Sequence, residues 1–294
     1  MLEQSNSPKK PKKPKKLKKN KGPIMANNPS NQLPIISFGN FDMQAALGLV
    51  GGVDHIGKFG RNEEIDTAAA EDIIAGGGTY AGQPTDTTPE IIEILHPNGA
   101  DNSSSTGMKS VTIVGLRTAT STAYTQETIT LTGVATDSAN TWWRIVSVRG
   151  ATFGTGGTNA GTITARSKTT TTEIFAVVAA GAGRSQVGVF TSPYNTITAI
   201  KNMRLQITRP AAGTGNATVQ MVRRASGAGG YSAHDNFDLT TSSPVDAYNN
   251  TPMILQPLED LIVRVNSVSA NTTTATVRFD CFIFENTEDI FGLA

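Results

Sequence analysis

From about residue 88 to its end, the chain consists of short β-rich runs separated by turn residues. Several runs alternate apolar and polar residues, as in "ETITLTGV" at 127–134, where Ile129 and Leu131 stand between threonines. Alternation of this kind is typical of strands that bury one face. The predicted strands cover residues 90–95, 110–116, 127–134, 142–149, 161–166, 173–180, 186–191, 203–208, 217–224, 252–257, 260–266 and 274–284.

These runs predict a mainly β fold of antiparallel β-sandwich or jelly-roll modules with an extended basic N-terminal arm. Aromatic residues make up only 6% of the 294 residues, and threonine and glycine are frequent, which suits strands joined by Gly-rich turns. The best helix candidate is "NEEIDTAAAEDII" at 62–74, with Asn62 as its cap and "GGG" as its end. The expected domains are a flexible Lys/Pro-rich arm at 1–30, an extended strap containing this short helix at 31–87, a β-sandwich module at 88–182 and a β-sandwich or jelly-roll module at 183–294.

The N-terminal arm concentrates positive charge that the rest of the chain lacks. It holds nine of the 13 lysines, whereas the chain from Gly22 onward has 16 basic and 23 acidic residues, a net charge of −7. Its prolines recur at every third position in "PKKPKKPKK", which favours an extended polyproline II helix. We therefore predict that the arm binds a polyanion or an acidic partner through nine residues: Lys9, Lys10, Lys12, Lys13, Lys15, Lys16, Lys18, Lys19 and Lys21.

The sequence leaves the partner of this arm open. A solvated tail and a nuclear-localisation signal are alternatives to polyanion binding. Lysines without arginine or interleaved aromatic residues supply charge but no base recognition, so contact with nucleic acid would be blind to sequence. The acidic surface of a neighbouring subunit is the other candidate partner.

Two Gly-rich segments resemble nucleotide-binding loops but lack the required pattern. In "GVDHIGKF" at 52–59, Phe59 follows Lys58 where a phosphate-binding loop needs Ser or Thr, so the segment is interpreted as a connector. "FGTGGTNAG" at 153–161 fails the Gly-x-Gly-x-x-Gly spacing and is interpreted as a β-hairpin loop.

The histidines and the single cysteine predict neither a metal site nor a cofactor. His55, His96 and His234 have no metal-ligand spacing to one another, and "YSAHDNFD" at 231–238 is interpreted as a polar loop. Cys281 is the only cysteine, so the chain has no intrachain disulfide.

Two carboxylate pairs, Glu90 with Glu93 and Glu259 with Asp260, do not predict acid–base catalysis. Their odd spacing would place the partners on opposite faces of a strand, so both pairs are interpreted as solvated strand ends. With no nucleophile, acid and base that converge, we predict no catalytic residues and no enzyme.

Adjacent Trp142 and Trp143 are expected to point to opposite faces of a strand, one into the core and one to an interface or the surface. The chain has no signal-peptide-like apolar segment at its start and no run of ~18 apolar residues, so we expect no membrane partner.

Two segments resemble a known family. "GRNEEIDTAAAEDIIAGGGTYAGQPTD" at 60–86 and the strand–glycine pattern "VTIVGL…ETITLTG…WWRIVSVRGATFGTGGTNAGTITAR" at 111–166 are similar to β-rich virion structural proteins of tailed double-stranded DNA viruses. The shared pattern is an Asn–acid–Ile/Val–Asp-Thr element, an acidic "ED" and a "GGG.Y" turn before a β-rich body. The lysine arm is not part of this pattern.

The resemblance implies a non-enzymatic virion structural protein, either head-associated (decoration, fibre or minor capsid) or in the tail, anchored through its lysine arm. Its partners would be other capsid or tail proteins, further copies of the chain with a trimer as the first expectation, and packaged nucleic acid. It would reside in virions assembled in the host cytoplasm. Two alternatives remain: a jelly-roll coat protein of a small icosahedral virus with a genome-binding arm, and a carbohydrate-binding adhesive β protein that uses Trp142 or the 231–238 segment.

Overall fold

The computed structural model describes residues 38–83, 88–209, 215–226, 229–241 and 243–285, and the chain divides into two units, Met1–Met43 and Gln44–Ala294. Within the described ranges, no helix has the length and apolar character needed to cross a bilayer. The elements are α1 (Phe38–Ala46), β1 (Val53–Ile65), β2 (Glu71–Asp72), β3 (Glu90–Leu95), β4 (Met108–Leu116), β5 (Thr125–Thr130), β6 (Ala135–Trp142), β7 (Arg144–Phe153), β8 (Ile163–Ser167), β9 (Ile174–Val178), β10 (Val189–Thr191), β11 (Thr196–Thr208), β12 (Asn216–Arg224), β13 (Ser232–Thr240), β14 (Val245–Ala247), β15 (Met253–Leu255), β16 (Asp260–Val268) and β17 (Thr273–Glu285).

Eight strands of the second unit form a jelly roll. Sheet 1 has the order β1-β17-β11-β14 and sheet 2 has the order β10-β16-β12-β13, with β15 and β2 as short additions that pair with β11 and β16. If the eight main strands are numbered along the chain, the neighbours are 1 with 8, 2 with 7, 3 with 6 and 4 with 5. This nested antiparallel pairing is that of a chain folded back on itself and rolled into two sheets. The prediction of a mainly β, antiparallel fold is confirmed.

The two sheets of the jelly roll bury one shared apolar core. Along β17, Val277, Phe279 and Cys281 are fully buried, while Arg278 and Asp280 between them face outward. The inward residues pack in one cluster with residues of sheet 2 such as Met221. Each fully buried side chain of this size contributes roughly 1.5–3 kcal/mol through removal of apolar surface from water.

A second β-sandwich is inserted between β2 and β10 of the jelly roll. Sheet 3 has the order β6-β3-β8-β9 and sheet 4 has the order β5-β4-β7. Its own core contains Ile92, Ile113, Trp142 and Phe175, all almost completely removed from solvent. The jelly roll is therefore built from chain segments on both sides of this insert.

Much of the segment before the insert is a strand rather than a connector or a helix. Residues 53–59 and the first part of 62–74 belong to β1, which pairs along its length with β17. Its inward-facing residues include Lys58, Gly60 and Asn62, which are buried although none is an apolar side chain. The helix and connector predictions are wrong because the pairing with β17, rather than a local apolar pattern, selects the extended conformation.

The segment 153–161 is not a hairpin loop, because β7 lies in sheet 4 and β8 lies in sheet 3. It crosses between the two sheets of the insert and is held by Asp101, which is fully buried. The Asp101 carboxylate accepts hydrogen bonds from the backbone N–H groups of Met108 (2.8 Å), Ala160 (2.8 Å) and Gly161 (2.7 Å). The carboxylate thus supplies these three N–H groups with the acceptor that a backbone carbonyl of a neighbouring strand would supply within a sheet.

The segment 231–238, interpreted as a polar loop, lies mostly in β13, an outer strand of sheet 2 that pairs with β12. Most of its side chains are exposed, and Leu239 is the one residue of β13 that is buried in the core. A strand with so little apolar alternation has no sequence signal that distinguishes it from a loop.

Candidate functional site

The nine arm lysines lie outside the described residues, so their binding role stays a prediction. Within the described residues, the family-like segment forms a compact loop, here called the motif loop (residues 66–83), which begins where β1 ends. The motif loop, the adjacent acidic cleft and the contacts between the jelly roll and the insert are the places where polar chemistry is concentrated.

The motif loop is organised by the carboxylate of Glu71. It accepts hydrogen bonds from the Asn62 side-chain amide (3.0 Å) and from the backbone N–H groups of Asp66 (3.0 Å) and Gly78 (2.8 Å). Burial alone would raise the pKa of Glu71, but these donors outweigh it and hold the pKa below its usual value. Gly77 has a φ of +70°, and a Cβ there would lie 3.2 Å from the Glu71 carboxylate, so a larger residue would be strained.

Asp72 attaches the motif loop to sheet 2. Its carboxylate is fully buried, pairs with Arg264 through two hydrogen bonds (2.7 and 3.1 Å) and accepts the Tyr80 N–H (2.7 Å). Tyr80 in turn donates its hydroxyl to the Phe175 carbonyl of the insert (2.9 Å), and burial raises the pKa of that hydroxyl. The asparagine, acid, glycine and tyrosine positions of the family-like pattern thus form one network that ties the jelly roll to the insert.

An open cleft of about 600 Å³ lies beside the motif loop. Its charged lining consists of Glu63, Glu64, Asp66 and Glu71, and no described lysine or arginine lines it. Carboxylates grouped in this way produce a negative potential, opposite in sign to that of the lysine arm.

Asp260 is at the centre of a buried ion cluster between the jelly roll and the insert. It pairs with Arg144 of β7 (3.2 and 3.3 Å) and with Arg224 of β12 (3.1 Å from Nε), and it accepts the Thr191 hydroxyl (2.6 Å). Arg144, Arg224 and Asp260 are all at least 94% buried. Because two cations share one carboxylate, hydrogen bonds to backbone carbonyls, such as that from Arg224 to Gln83 (2.6 Å), complete the coordination of the guanidinium groups.

The prediction of solvated carboxylate pairs is wrong. Glu259 is buried and pairs with Arg223 (2.5 and 2.8 Å), next to the ion cluster at Asp260. In the insert, Glu93 pairs with Arg166 (2.6 and 3.1 Å) across sheet 3, and Glu90 accepts the Ser167 hydroxyl. The partners come from neighbouring strands, which a reading of spacing along one strand does not reveal.

Both tryptophans are buried. Trp142 is in the core of the insert. Trp143 lies at the junction with the jelly roll, where the guanidinium of Arg144 is 4.1 Å from the centroid of the Trp143 ring. Neither ring is available as a stacking platform for a sugar, so the structure offers no support for a carbohydrate site at Trp142.

The three histidines remain separate. His55 contacts Asp280 (3.2 Å), His96 is buried against the Asp101 carbonyl (2.9 Å), and His234 is on β13. Burial lowers the pKa of His96. Among the described residues, no three His, Cys, Asp or Glu side chains are grouped to hold a metal ion.

Lys58 is a buried cation that sequence reasoning did not identify. Its ammonium group donates to the Val146 carbonyl of the insert, and the side chain is only 5% exposed. Burial lowers the pKa of Lys58 to about 8. An inward-pointing lysine on a strand has no sequence signature, because the adjacent Phe59 is the more apolar residue and faces outward.

Replacement of Lys58 by methionine should remove a pH dependence of stability. Below pH 8 the lysine is protonated in the folded and unfolded states, so the full burial penalty applies. Between pH 8 and 10.5 the unfolded state binds more protons, so stability rises with pH, by up to about 3 kcal/mol for this shift. Chemical denaturation from pH 7 to pH 10 should show the wild-type unfolding free energy rising relative to that of Lys58→Met. Lys109→Met is the control that should follow wild type, and parallel wild-type and Lys58→Met profiles would contradict the prediction.

No family model and no curated protein matches the sequence. Among solved structures, that of the infectious bursal disease virus Gt strain is 8% identical over 81% of this chain and 73% of that chain, with a TM-score of 0.23. Two structures of infectious bursal disease virus-derived T=1 particles, one of a mutant VP2 protein, are each 6% identical over 83% of this chain and 82% or 80% of theirs, with TM-scores of 0.13 and 0.12. TM-scores at this level do not establish a shared fold or function.

Proposed function

We propose that this chain is a non-enzymatic structural protein of a virus particle. The observation that supports it best is the nested pairing of eight strands in two sheets together with the lysine block at residues 9–21. Jelly rolls of this kind are a recurrent architecture of viral capsid domains, although lectins and cupins share it. The similarity of residues 60–86 and 111–166 to virion structural proteins points the same way.

Within the particle, the chain assembles with copies of itself, with a trimer as the first expectation, and with other virion proteins. Most homo-oligomers have closed symmetry, and a chain segment exchanged between copies can link them. The arm at 1–30 is a separate functional segment, and the jelly roll and its insert supply the contact surfaces. The sequence resemblance favours a head-associated or tail component, with the arm as its anchor.

A second candidate is a shell-forming coat protein whose arm neutralises packaged genome, and the jelly-roll topology favours it. The two candidates differ in self-assembly. Purified protein at low salt with added nucleic acid would form closed shells if it is the coat protein. An accessory component would stay a small oligomer and would add only to a pre-existing particle, and electron microscopy of the mixture distinguishes the two.

Substitution of all nine arm lysines by glutamine should abolish incorporation into particles while the β body stays folded. If the arm contacts duplex DNA, the slope of log affinity against log salt should fall in magnitude by up to about 8, at roughly 0.9 per neutralised phosphate. Circular dichroism and thermal unfolding check the fold, and sedimentation with particles measures incorporation. A matched set of surface Asp and Glu to Asn and Gln changes in the body is the control, and normal incorporation of the arm variant would refute anchoring by the arm.

A further inference from the structure

Four exposed arginines form a row across sheet 1 and the adjoining edge of the insert, here called the arginine stripe: Arg149, Arg184, Arg204 and Arg278. Arg204 of β11 and Arg278 of β17 are direct cross-strand partners, and Arg149 of β7 and Arg184 are paired in an isolated β-bridge. Phe59 of β1 joins the two pairs, because it is the cross-strand partner of Arg278 and lies 5.7 Å from the Arg184 guanidinium.

Among the described residues, the stripe has little charge compensation. Like charges directly opposite each other on neighbouring strands are destabilising. Arg149, Arg184 and Arg278 have no ion pair with a carboxylate among the described residues, and Arg204 reaches only Asp246 at 4.0 Å, with both side chains more than half exposed. By contrast, seven other arginines of the described residues have a carboxylate partner within 4 Å: Arg61, Arg117, Arg144, Arg166, Arg223, Arg224 and Arg264. An acidic body that leaves these arginines together has a surface suited to an external anion.

The surface around the stripe fits an extended phosphate ligand. A cleft of about 480 Å³ is lined by Phe59, Arg184, Arg204 and Arg278 together with the polar side chains of Gln206 and Thr276, and no described carboxylate lines it. Guanidinium groups match phosphate oxygens through paired hydrogen bonds. Three strand-pairing steps of about 4.8 Å each and the 5.7 Å contact between Phe59 and Arg184 separate the ends of the row, which therefore exceeds the size of a single small anion.

We propose that the arginine stripe binds the sugar–phosphate backbone of a single-stranded nucleic acid, with a base stacked on Phe59. The aromatic ring among the cations favours this ligand over an acidic protein surface, because stacking on bases is independent of sequence and adds to phosphate contacts. The inference rests on the proposed function in one respect, since a virus particle supplies the nucleic acid. It adds a second binding surface, located on the folded body rather than on the arm.

The test is binding of a fluorescent 20-nucleotide poly-dT strand to full-length protein, measured by anisotropy over a salt series. The reference protein has all nine arm lysines changed to glutamine, so that remaining binding comes from the body. In this background, Arg184→Gln with Arg278→Gln should weaken binding and reduce the magnitude of the log–log salt slope by about 1.4, at roughly 0.7 per phosphate contact. Phe59→Leu should weaken binding about 10-fold with the salt slope unchanged. Lys109→Gln with Lys168→Gln is the control of equal charge change and should weaken binding less.

Two results would overturn the proposal. One is poly-dT affinity unaffected by the Arg184/Arg278 change, and the other is binding of poly-glutamate but not of poly-dT by the arm-substituted protein, which would make the stripe a protein-docking surface. Failure of the stripe is distinguishable from failure of the proposed virion role, because particle incorporation of the arginine-substituted protein with an intact arm is measured separately.

Discussion

Replacement of Asp260 by asparagine is expected to lower the free energy of unfolding by about 3–5 kcal/mol, because it leaves two buried cations without their counter-ion. Asparagine preserves the shape and keeps one carbonyl oxygen for Thr191 and Arg144. Its amide group would then face the Arg224 guanidinium, which now donates to the Asp260 carboxylate from Nε at 3.1 Å. A buried donor directed at another donor loses its hydrogen bond and cannot recover it from water.

Chemical denaturation of Asp260→Asn measures this effect, and Asp137→Asn is its matched control. Asp137 forms an ion pair with Lys168 in which both side chains are more than 40% exposed, so its loss should cost only about 0–1 kcal/mol. Combining Asp260→Asn with Arg144→Met should recover part of the lost stability, since the second change removes one of the uncompensated charges. A double-mutant cycle measures this recovery. Equal stabilities of the Asp260 and Asp137 variants would show that the ion cluster does not join the two sandwiches.

Replacement of Asp101 by alanine is expected to destabilise the protein by about 2–4 kcal/mol. It leaves the buried N–H of Met108 without an acceptor, at about 1–3 kcal/mol, and removes the acceptor of the partly buried N–H groups of Ala160 and Gly161, which cost less because water can reach them. Two of the donors, Ala160 and Gly161, are in the segment that crosses between the sheets of the insert, and the third, Met108, begins β4. The loss should therefore loosen the crossing segment and the start of β4 together.

Two substitutions at Asp101 should differ in their effect on stability. One Asp101 oxygen accepts from Met108 and Ala160, and the other accepts from Gly161. Asp101→Asn retains the acceptor for two donors, so it should be less destabilising than Asp101→Ala. Asp238→Ala, which removes an exposed carboxylate that accepts one threonine hydroxyl at 3.0 Å, should change stability by less than about 0.5 kcal/mol. An Asp101→Ala protein as stable as the Asp238 variant would contradict this assignment.

The strands that could be predicted are those with an apolar period of two. The predicted run at 90–95 matches β3, and the runs at 260–266 and 274–284 lie within β16 and β17. The sequence does not predict β1 or β13, because each lacks apolar alternation for a different reason. β1 buries Lys58, Gly60 and Asn62, so three successive inward positions lack an apolar side chain, and β13 is an outer strand with one buried core residue.

The two proposed binding surfaces differ in the same way. The lysine arm was apparent because nine like charges in one segment are a local property of the sequence. The arginine stripe was not apparent, because Arg149, Arg184, Arg204 and Arg278 are far apart in the chain and meet only through strand register. The motif loop is intermediate. Its residues form a pattern that the sequence shows, but only the structure shows that they are hydrogen-bonded to Glu71 and Asp72 and that they form no helix.

The sequence by itself determined that the chain folds as antiparallel β structure and that positive charge is concentrated at residues 9–21, because side-chain alternation and charge density are properties of neighbouring residues. Only the tertiary structure decided that β1 completes a jelly roll interrupted by a second sandwich, and that Asp260 pairs with Arg144, 116 positions away. Alternation specifies which face a residue occupies, but the identity of its partner depends on the register between distant strands. That register is set by the packing of the whole core, in which a polar residue on an inward face is tolerated only when another segment supplies its partner.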